Sequence, residues 1–262
     1  MEIGIIGYGR MGSAIAQGIY KIGIIPKIYD IDEGKRMKAK NEGMKVVNFL
    51  SELSDCSIII IAVKPKDFNE VLEEIKKYLN NKLFISIAAG VSISFIESKL
   101  GKNAKIIRIM PNIAASIRES TSVLIYNKNV KEEDLELIKN IFGNIGMLLI
   151  IDNEELMDVI TGISGSGPAY FFFIMKIMTE ICEEFGLSKE IARKIVAQTC
   201  KGAGMIVLNS REDFQSLINM VASPGGVTEE AIKFMISNNF QEIFKNAIYN
   251  AIKKSKELLY KS

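Results

Sequence analysis

The residues best suited to chemistry lie in one segment late in the sequence, Val221-Ala222-Ser223-Pro224-Gly225-Gly226-Val227-Thr228-Glu229-Glu230. Hydroxyl residues flank a proline and two glycines, and a helix is predicted to follow them. Backbone N–H groups at the start of a helix have no intrahelical partner and carry the positive end of the helix dipole, so they attract anions. The segment therefore predicts either a small-anion site or a capped loop and nothing more.

Two roles are open for Thr228 in this segment. Its hydroxyl can hydrogen-bond a substrate atom, or it can cap the following helix, in which Glu229 and Glu230 complement the dipole. One hydroxyl rotamer does not readily serve both roles.

The chain contains no histidine, and this restricts the chemistry. Zinc sites with histidine ligands and histidine acid–base catalysis are excluded, and the three separated cysteines do not form a credible thiolate site. We therefore predict no metal. The reaction must need little help with proton transfer, or must take its proton from a hydroxyl, a lysine or water.

A glycine motif, Gly7-Tyr8-Gly9-Arg10-Met11-Gly12, lies between the predicted strand Glu2–Ile6 and a predicted helix. In this context Gly7 permits a tight turn, Gly9 lets the backbone approach a pyrophosphate, and Gly12 lets helix and strand pack closely. The motif predicts a dinucleotide site. Its predicted cofactor contacts are Gly7, Gly9, Arg10, Met11 and Gly12.

Asp30, at the end of the second predicted strand, bears on the choice of cofactor. A carboxylate at this position hydrogen-bonds the adenosine ribose hydroxyls and repels a 2′-phosphate. Lys35 and Arg36 are near enough in sequence to reach such a phosphate, so NADPH stays open. The sequence indicates NAD(P)H, with NADH slightly favoured.

Further candidates follow the later strands, because ligands of such sheets bind outside the carboxyl ends of the strands. Lys64 either lines the cofactor or is a solvated loop lysine. Asn112 either offers its amide to nicotinamide or substrate, or forms an Asx turn after Pro111. The cofactor contacts predicted at this edge are Ala62, Val63, Lys64, Pro65, Ala88 and Asn112.

The elements that position these residues change in type near Asp152. Before it, short β-rich runs alternate with helical stretches, which predicts a parallel, Rossmann-type doubly wound α/β sheet in residues 1–152. After it, helical periodicity predicts an all-α domain in residues 153–262. The apolar run Ala169–Met175 is covered either by a second subunit or within one monomer.

Charge and composition exclude several classes of protein. The net charge is +2 and no basic run interleaves with aromatics, so we expect no nucleic-acid partner. Apolar runs such as Ile58 to Val63 are too short to span a bilayer, so we expect no membrane partner. Three cysteines without a disulfide framework (Cys56, Cys182, Cys200) favour a cytoplasmic location, and the expected partner is a small-molecule substrate.

Several segments, in this order along the chain, resemble the Δ1-pyrroline-5-carboxylate reductase family. They are the glycine motif, Ala62-Val63-Lys64-Pro65, Met110-Pro111-Asn112, Ser164-Gly165-Ser166-Gly167-Pro168-Ala169-Tyr170, Gln198-Thr199 and Ser223-Pro224-Gly225-Gly226. The resemblance covers essentially the whole length. It implies that NAD(P)H reduces the cyclic imine L-1-pyrroline-5-carboxylate to L-proline, the last step of proline biosynthesis, in a homodimer joined through its C-terminal helices.

The same resemblance assigns the substrate residues. The substrate-binding set it implies is Ser223, Gly225, Gly226, Val227 and Asn112, with Thr228 as the catalytic hydroxyl on the substrate nitrogen. A cyclic imine is electrophilic at C5, so hydride transfer needs positioning rather than a strong base. This suits a chain without histidine.

Three positions depart from the family pattern. Ile113-Ala114 replaces the usual Thr-Pro, Val227 replaces a threonine, and Lys176 replaces a glutamate. At Val227 a backbone contact would survive and a side-chain contact would not. The departures bear on substrate choice, which is left open, as are an oligomer larger than a dimer and feedback regulation.

Two other functions are weighed against this one. A β-hydroxyacid dehydrogenase shares the N-terminal glycine motif and the two-domain plan. Its interdomain helix, however, carries a lysine four residues after a glycine, and the residue four after Gly167 in this chain is Phe171. A non-catalytic nucleotide-binding paralogue is the other alternative, and the departures at Ile113-Ala114 and Val227 motivate it.

Overall fold

The computed structural model describes residues 2–78 and 81–258, which form two compact units. The first unit runs to Pro168 and includes the described residues from Ala251 onward, and the second is Ala169–Asn250. Residues 1 and 259–262, at the ends of the two predicted domains, lie outside the described residues. The predicted division between residues 152 and 153 stays a prediction.

The first unit is built on one sheet of eight described strands, in the order β3-β2-β1-β4-β5-β6-β7-β8. The strands are β1 (Ile3–Ile6), β2 (Lys27–Tyr29), β3 (Lys45–Val46), β4 (Ile58–Ile61), β5 (Leu83–Ser86), β6 (Lys105–Met110), β7 (Ser120–Tyr126) and β8 (Gly146–Ile150). The order runs outward from β1 in both directions, which is the predicted doubly wound arrangement. The expectation of an entirely parallel sheet is wrong at β7, which pairs antiparallel with β6.

The centre of the sheet is buried on both faces because its strands are apolar throughout. All four residues of β1 and of β4 are buried, and the two strands pair in register from Ile3 with Ile58 to Ile6 with Ile61. Successive residues of each strand point to opposite faces of the sheet and pack into two hydrophobic clusters. One cluster contains Ile5 and Ile60, and the other contains Ile6 and Ile59. This core fixes the carboxyl ends of the strands, where the cofactor residues begin.

The helices alternate with the strands and then continue alone after β8. They are α1 (Arg10–Lys21), α2 (Glu33–Asn41), α3 (Pro65–Ile75), α4 (Ile93–Leu100), α5 (Glu132–Gly143), α6 (Leu156–Ile160), α7 (Gly167–Glu184), α8 (Lys189–Asn209), α9 (Phe214–Val221), α10 (Val227–Ser237) and α11 (Phe240–Glu257). Two 3₁₀ segments, Leu50–Leu53 and Ile113–Ile117, and a π-helical turn, Thr161–Gly165, complete the described elements.

The last turns of α11 pack within the first unit. The hydroxyl of Ser255 donates to Asp158 Oδ1 at 2.6 Å, and both residues are buried. Next to this pair, Gly162 leaves room for Ile252, because a Cβ atom on Gly162 would lie 2.5 Å from Ile252 Cγ1. The first unit therefore takes part of its core from a segment that lies 97 residues beyond Asp158 in the chain.

The second unit has few buried side chains. Tyr170 and Phe244 meet edge to face with ring centroids 6.1 Å apart, and Phe240 stacks on Phe244 at 5.9 Å. The aromatic run on α7 is open, with Phe171, Phe172 and Phe173 exposed by 56, 60 and 64%. The apolar face that the sequence predicts is thus not covered by the described residues of this one chain.

Candidate active site

The turn between β1 and α1 has the shape of a phosphate cradle. Gly7 has a φ of +101°, and a Cβ atom there would lie 2.9 Å from the Ala62 carbonyl oxygen. A Cβ on Gly12 would lie 2.1 Å from the Gly7 carbonyl oxygen, so the helix could not begin so close to the strand. Gly9, by contrast, faces open space. Gly7 and Gly12 are therefore steric requirements of the fold itself, whereas Gly9 leaves room for a ligand.

Arg10 and Met11 are the first two residues of α1, so the helix begins within the glycine motif. Gly9 is the N-cap residue and no side chain caps the helix. The first N–H groups of α1 are therefore available to an anion held over the turn.

Asp30 is only 5% exposed, and its carboxylate organises the end of β2. One oxygen accepts the backbone N–H of Tyr8 at 2.6 Å, and the other accepts that of Asp32 at 2.9 Å and lies 3.5 Å from Lys35 Nζ. The glycine turn and the β2 end are thus joined through one buried carboxylate. Asp32 caps α2, accepting the Lys35 N–H at 3.2 Å.

Arg36 is also held in place. Its Nη1 donates to the Asp30 carbonyl oxygen at 2.7 Å and to that of Ile31 at 3.2 Å. Of the two cations that could meet a 2′-phosphate, Lys35 is thus paired with Asp30 and Arg36 is bonded to the backbone.

A cavity of about 340 Å³ lies along these residues. Its lining residues are Ile6, Gly7, Gly9, Tyr29, Asp30, Ile31, Lys35, Leu50, Ala62, Val63, Lys64, Lys66, Asp67, Glu70, Val71 and Glu74. Six predicted cofactor residues are therefore brought together: Gly7, Gly9, Asp30, Ala62, Val63 and Lys64. Arg10, Met11, Gly12, Pro65, Ala88 and Asn112 do not line it. Pro65 instead begins α3.

Sequence reasoning missed the part of this cavity formed by α3 and by the end of β2. Glu70 and Glu74 lie four residues apart on one face of α3, a spacing that was available as a signal. Ile31 is 87% exposed, which is unusual for an isoleucine that follows a buried strand. Burial raises the pKa of Tyr29, and the nearby Glu74 and Asp30 carboxylates raise it further. The wall that was missed is therefore acidic.

Ala88 and Asn112 follow β5 and β6, whose carboxyl ends lie side by side in the sheet. Asn112 is buried, and its Oδ1 accepts the Ala114 N–H at 3.1 Å, which is the predicted Asx turn. Its Nδ2 donates to none of the residues in 2–78 and 81–258. The two roles considered for Asn112 are therefore compatible, because the oxygen forms the turn and the amide nitrogen stays available. Ile113 and Ala114 lie in the following 3₁₀ segment.

The loop before α10 is a tight turn. Gly226 N–H donates to the Ser223 carbonyl oxygen at 2.9 Å, Pro224 precedes Gly225 in the central pair, and Gly225 has a φ of +71°. A residue at that φ is strained unless it is glycine, which accounts for Gly225 as a turn of this type requires. A Cβ on Gly226 would lie 2.7 Å from Ser223 Oγ, which can rotate away, and 3.0 Å from the Ser223 carbonyl oxygen, so the second glycine has less steric need than the first.

Helix α10 begins at Val227, with Gly226 as its N-cap residue. The alternative in which Thr228 caps this helix is therefore wrong, because Thr228 is already its second residue. The Thr228 hydroxyl is half-buried and has no hydrogen-bond partner among the described residues. The first bond of the helix runs from Glu230 N–H to the Gly226 carbonyl, so the N–H groups of Val227 and Thr228 precede the ladder.

The loop already holds one carboxylate of the protein itself. Glu229 Oε2 accepts the Gly225 N–H at 2.7 Å, while Glu229 Oε1 lies 3.1 Å from Lys233 Nζ. The Gly225 N–H and then Lys233 lower the pKa of the Glu229 carboxyl, so it is ionised at neutral pH. The loop can thus bind a carboxylate through its backbone.

The remaining departures from the family pattern lie on exposed surface. Val227 is 90% exposed as the first residue of α10, and Lys176 pairs with Glu180 at 2.6 Å on α7. The Ser164–Tyr170 segment forms the π-helical turn and the start of α7. There Gly165 would place a Cβ 3.3 Å from Met110 Sδ, so the turn packs on the end of β6.

No helix within residues 2–78 and 81–258 has the length and apolar character needed to cross a membrane. Over the same ranges, no group of three or more histidine, cysteine, aspartate or glutamate side chains is arranged to hold a metal ion.

Two family descriptions match the chain in sequence. Residues 154–258 match pyrroline-5-carboxylate reductase dimerisation, and residues 2–90 match NADP oxidoreductase, coenzyme F420-dependent. The first match contains the turn before α10, and the second contains the glycine turn and most of the cavity wall.

Individual relatives extend over the whole chain. A pyrroline-5-carboxylate reductase of Methanosarcina acetivorans is 34% identical over 98% of this chain and 97% of its own. The crystal structure of Plasmodium falciparum pyrroline carboxylate reductase with NADP bound superposes with a TM-score of 0.91 at 35% identity, covering 98% of both chains. A pyrroline-5-carboxylate reductase structure from Coxiella burnetii gives 0.87 at 33% identity and 99% of both chains. The chain belongs to the pyrroline-5-carboxylate reductase family.

Proposed function

We propose that this protein reduces L-1-pyrroline-5-carboxylate to L-proline with NADH, as the last step of proline biosynthesis. The observation that carries the proposal is the full-length relationship at 34–35% identity, in a chain that keeps both the glycine turn and the Ser223–Gly226 turn. The two turns supply what the reaction needs, a dinucleotide cradle and a carboxylate-binding loop.

The cradle fits a dinucleotide. Gly7 and Gly12 are positions that a Cβ atom would block, while Gly9 is open at the start of a helix without a side-chain cap. We assign Gly9, Arg10 and Met11 to the pyrophosphate through their backbone N–H groups. Bound reduced nicotinamide supplies the hydride that adds to C5 of the imine. Asn112, with its free amide nitrogen, and Ala88 lie at the edge assigned to the nicotinamide.

Three features of the cavity support NADH over NADPH. The Asp30 carboxylate lies where the adenosine ribose is expected, and it would repel a 2′-phosphate. Glu70 and Glu74 add negative charge to the same cavity. Lys35 pairs with Asp30, and Arg36 directs its Nη1 to the carbonyl oxygens of Asp30 and Ile31, so both cations have contacts other than a 2′-phosphate.

The substrate loop supplies orientation. We assign the substrate carboxylate to the backbone of the turn formed by Ser223, Gly225, Gly226 and Val227. The Gly226 N–H already donates to the Ser223 carbonyl and the Gly225 N–H to Glu229, so the N–H groups of Val227 and Thr228 are the ones without an acceptor in the described part of the chain. A backbone contact needs no side chain from Val227, so its departure from threonine is compatible with binding. The unpartnered Thr228 hydroxyl then hydrogen-bonds the ring nitrogen, which acquires a proton in the product. Positioning of this kind accounts for a large part of the rate enhancement in a hydride transfer that lacks an acid–base histidine.

Assembly and location are parts of the same proposal. The match of residues 154–258 to the family's dimerisation region and the open aromatic run on α7 support a homodimer joined through the C-terminal helices. The three free cysteines suit the reducing cytoplasm. Whether dimers build a larger oligomer is a further measurement, readily made by sedimentation.

The test is steady-state oxidation of NADH, and separately of NADPH, on addition of L-1-pyrroline-5-carboxylate, with L-proline identified as the product. We expect turnover with both and a higher kcat/KM with NADH. Absence of proline formation with either cofactor would refute the assigned reaction. Higher kcat/KM with NADPH would refute only the cofactor preference.

A further inference from the structure

The Glu229 side chain makes a contact that the proposed reaction does not use. It is the third residue of α10, and it folds back so that Oε2 accepts the Gly225 N–H at 2.7 Å. Gly225 directs that N–H outward because its φ of +71° reverses the backbone. The nearest cation, Lys233, lies 3.1 Å from the other carboxylate oxygen.

The substrate presents the same chemical group to the same loop. An ionised carboxylate accepts hydrogen bonds and donates none, so the substrate and Glu229 have identical requirements for backbone N–H groups. Two carboxylates held at one short turn also repel each other. Lys233 offsets part of that repulsion but is itself largely exposed, so solvent screens its effect.

Glu230 provides an internal comparison. It lies in the same helical turn and carries the same charge, but it is exposed and its side chain has no hydrogen bond or ion pair among the described residues. The two glutamates therefore carry the same charge at the helix start and differ in their contacts, because Glu229 alone of the pair accepts the Gly225 N–H and pairs with Lys233.

We infer that Glu229 is a specificity-determining residue of the substrate loop, which lowers the affinity for carboxylate ligands by occupying the Gly225 N–H. The inference rests on the proposed function, which places the substrate carboxylate on this loop. A substrate carboxylate binds only when Glu229 gives up its hydrogen bond or tolerates a second anion beside it. The loop thereby accepts ligands whose additional contacts, such as the one to Thr228, compensate.

The test compares wild type, Glu229→Gln and Glu230→Gln. Glutamine keeps an oxygen that can accept the Gly225 N–H, so the turn is preserved. Its uncharged amide is a weaker acceptor than the carboxylate, so it gives up that N–H to an anion more readily and does not repel it. We expect Glu229→Gln to lower the KM for L-1-pyrroline-5-carboxylate about threefold, the size typical of an exposed charge interaction. Glu230→Gln should change it less, and the KM for NADH should stay the same in both variants.

Cyclopentanecarboxylate, which has the ring and carboxylate but no nitrogen, isolates the anion contact. Its inhibition constant should fall by the same factor in Glu229→Gln. A KM and an inhibition constant that are unchanged or raised in Glu229→Gln would overturn the inference, because Glu229 would then only brace the turn. A wild-type enzyme that makes proline with the same KM as the variant keeps the proposed function and loses this inference alone. A wild type that makes no proline removes both.

Discussion

The proposed cofactor residues of the first unit lie at the ends of strands, and the central strands β1 and β4 are buried on both faces. The proposed substrate loop of the second unit lies between helices whose large apolar side chains are mostly exposed. Asp30 and Asn112 are held by several hydrogen bonds each, while Thr228 has none among the described residues. The proposed cofactor residues are thus held by contacts within their own unit. We expect the proposed substrate loop to depend on what covers the helices around it, and the following predictions test that difference.

The largest effect is expected from Phe172→Asp on α7. Each subunit would lose about 2 kcal/mol of apolar burial, and a two-fold symmetric interface counts that loss twice, which weakens dimerisation about 10³-fold. Sedimentation should show monomers, and proline formation should be lost. Calorimetric binding of NADH should persist, because the cradle lies in the other unit.

Phe49→Asp is the matched control, since Phe49 is an equally open phenylalanine in the first unit, 70% exposed. It should leave the dimer intact. A Phe172→Asp protein that stays dimeric, or that is monomeric and fully active, would contradict the dependence of the substrate loop on assembly.

The next effect concerns the hydroxyl with no partner. Thr228→Val keeps the shape of the side chain but removes the hydroxyl, and we expect kcat to fall about 10²-fold, as for loss of a group that assists proton transfer. NADH binding measured by calorimetry should be unchanged. Val227→Thr is the control at the adjacent residue and should alter kcat less than twofold, roughly, because a backbone contact there is indifferent to the side chain. Equal kcat for Thr228→Val and wild type would remove Thr228 from the mechanism.

A smaller effect is expected at Asp30. Replacing Asp30 by serine removes a buried carboxylate from the ribose end of the cavity. The ratio of kcat/KM with NADPH to kcat/KM with NADH should then rise about tenfold, because a like-charge repulsion of about 1–2 kcal/mol is lost. The ratio is the appropriate readout, since loss of the Tyr8 and Asp32 contacts affects both cofactors alike. Asp32→Ser, at the exposed cap of α2, should shift the ratio less. A ratio that does not change in Asp30→Ser would disprove the ribose assignment.

The smallest effect tests the acidic wall on α3. Glu70→Gln with Glu74→Gln should raise the relative kcat/KM for NADPH about threefold, because these charges are exposed and screened. Glu73→Gln is the control on the same helix, since Glu73 pairs with Lys99 at 3.1 Å and does not line the cavity. Similar ratios in the double variant and the control would show that Asp30 alone sets the cofactor preference.

The two units also differ in how much their sequence reveals. Glycines with a steric duty, such as Gly7 and Gly12, and a fully apolar strand such as Ile58–Ile61 have few alternative structures, so the sheet and its cradle were predictable. The antiparallel turn of β7 was not, because alternation and apolar content are the same for a strand of either direction. The spacing of Glu70 and Glu74 shows that they share a helix face, but tertiary placement alone decides that this face and Ile31 line a cavity, so all three were missed.

The substrate loop was predictable as a turn and incompletely as a site. Proline followed by two glycines indicates the turn, and the Gly225 φ agrees. If Thr228 capped α10, the helix would begin at Glu229, two residues later than it does, so the exact start of α10 decides whether Thr228 is a cap or is free. A glutamate at position 229 was already explained by its favourable interaction with the helix dipole, so its contact with the Gly225 N–H was not predicted.

The pairing of Ser255 with Asp158 has a consequence for biosynthesis on the ribosome. Asp158 is translated with the sheet, but the hydroxyl that satisfies its buried carboxylate is added 97 residues later. Until Ser255 is added, Asp158 must stay exposed to water or be buried without a partner. Burial without a partner costs about 1–3 kcal/mol. The strands of the sheet are therefore translated first, but the core of the first unit is completed only after the helices of the second unit have emerged. A stalled or nicked chain ending before Ser255 should therefore be more susceptible to proteases.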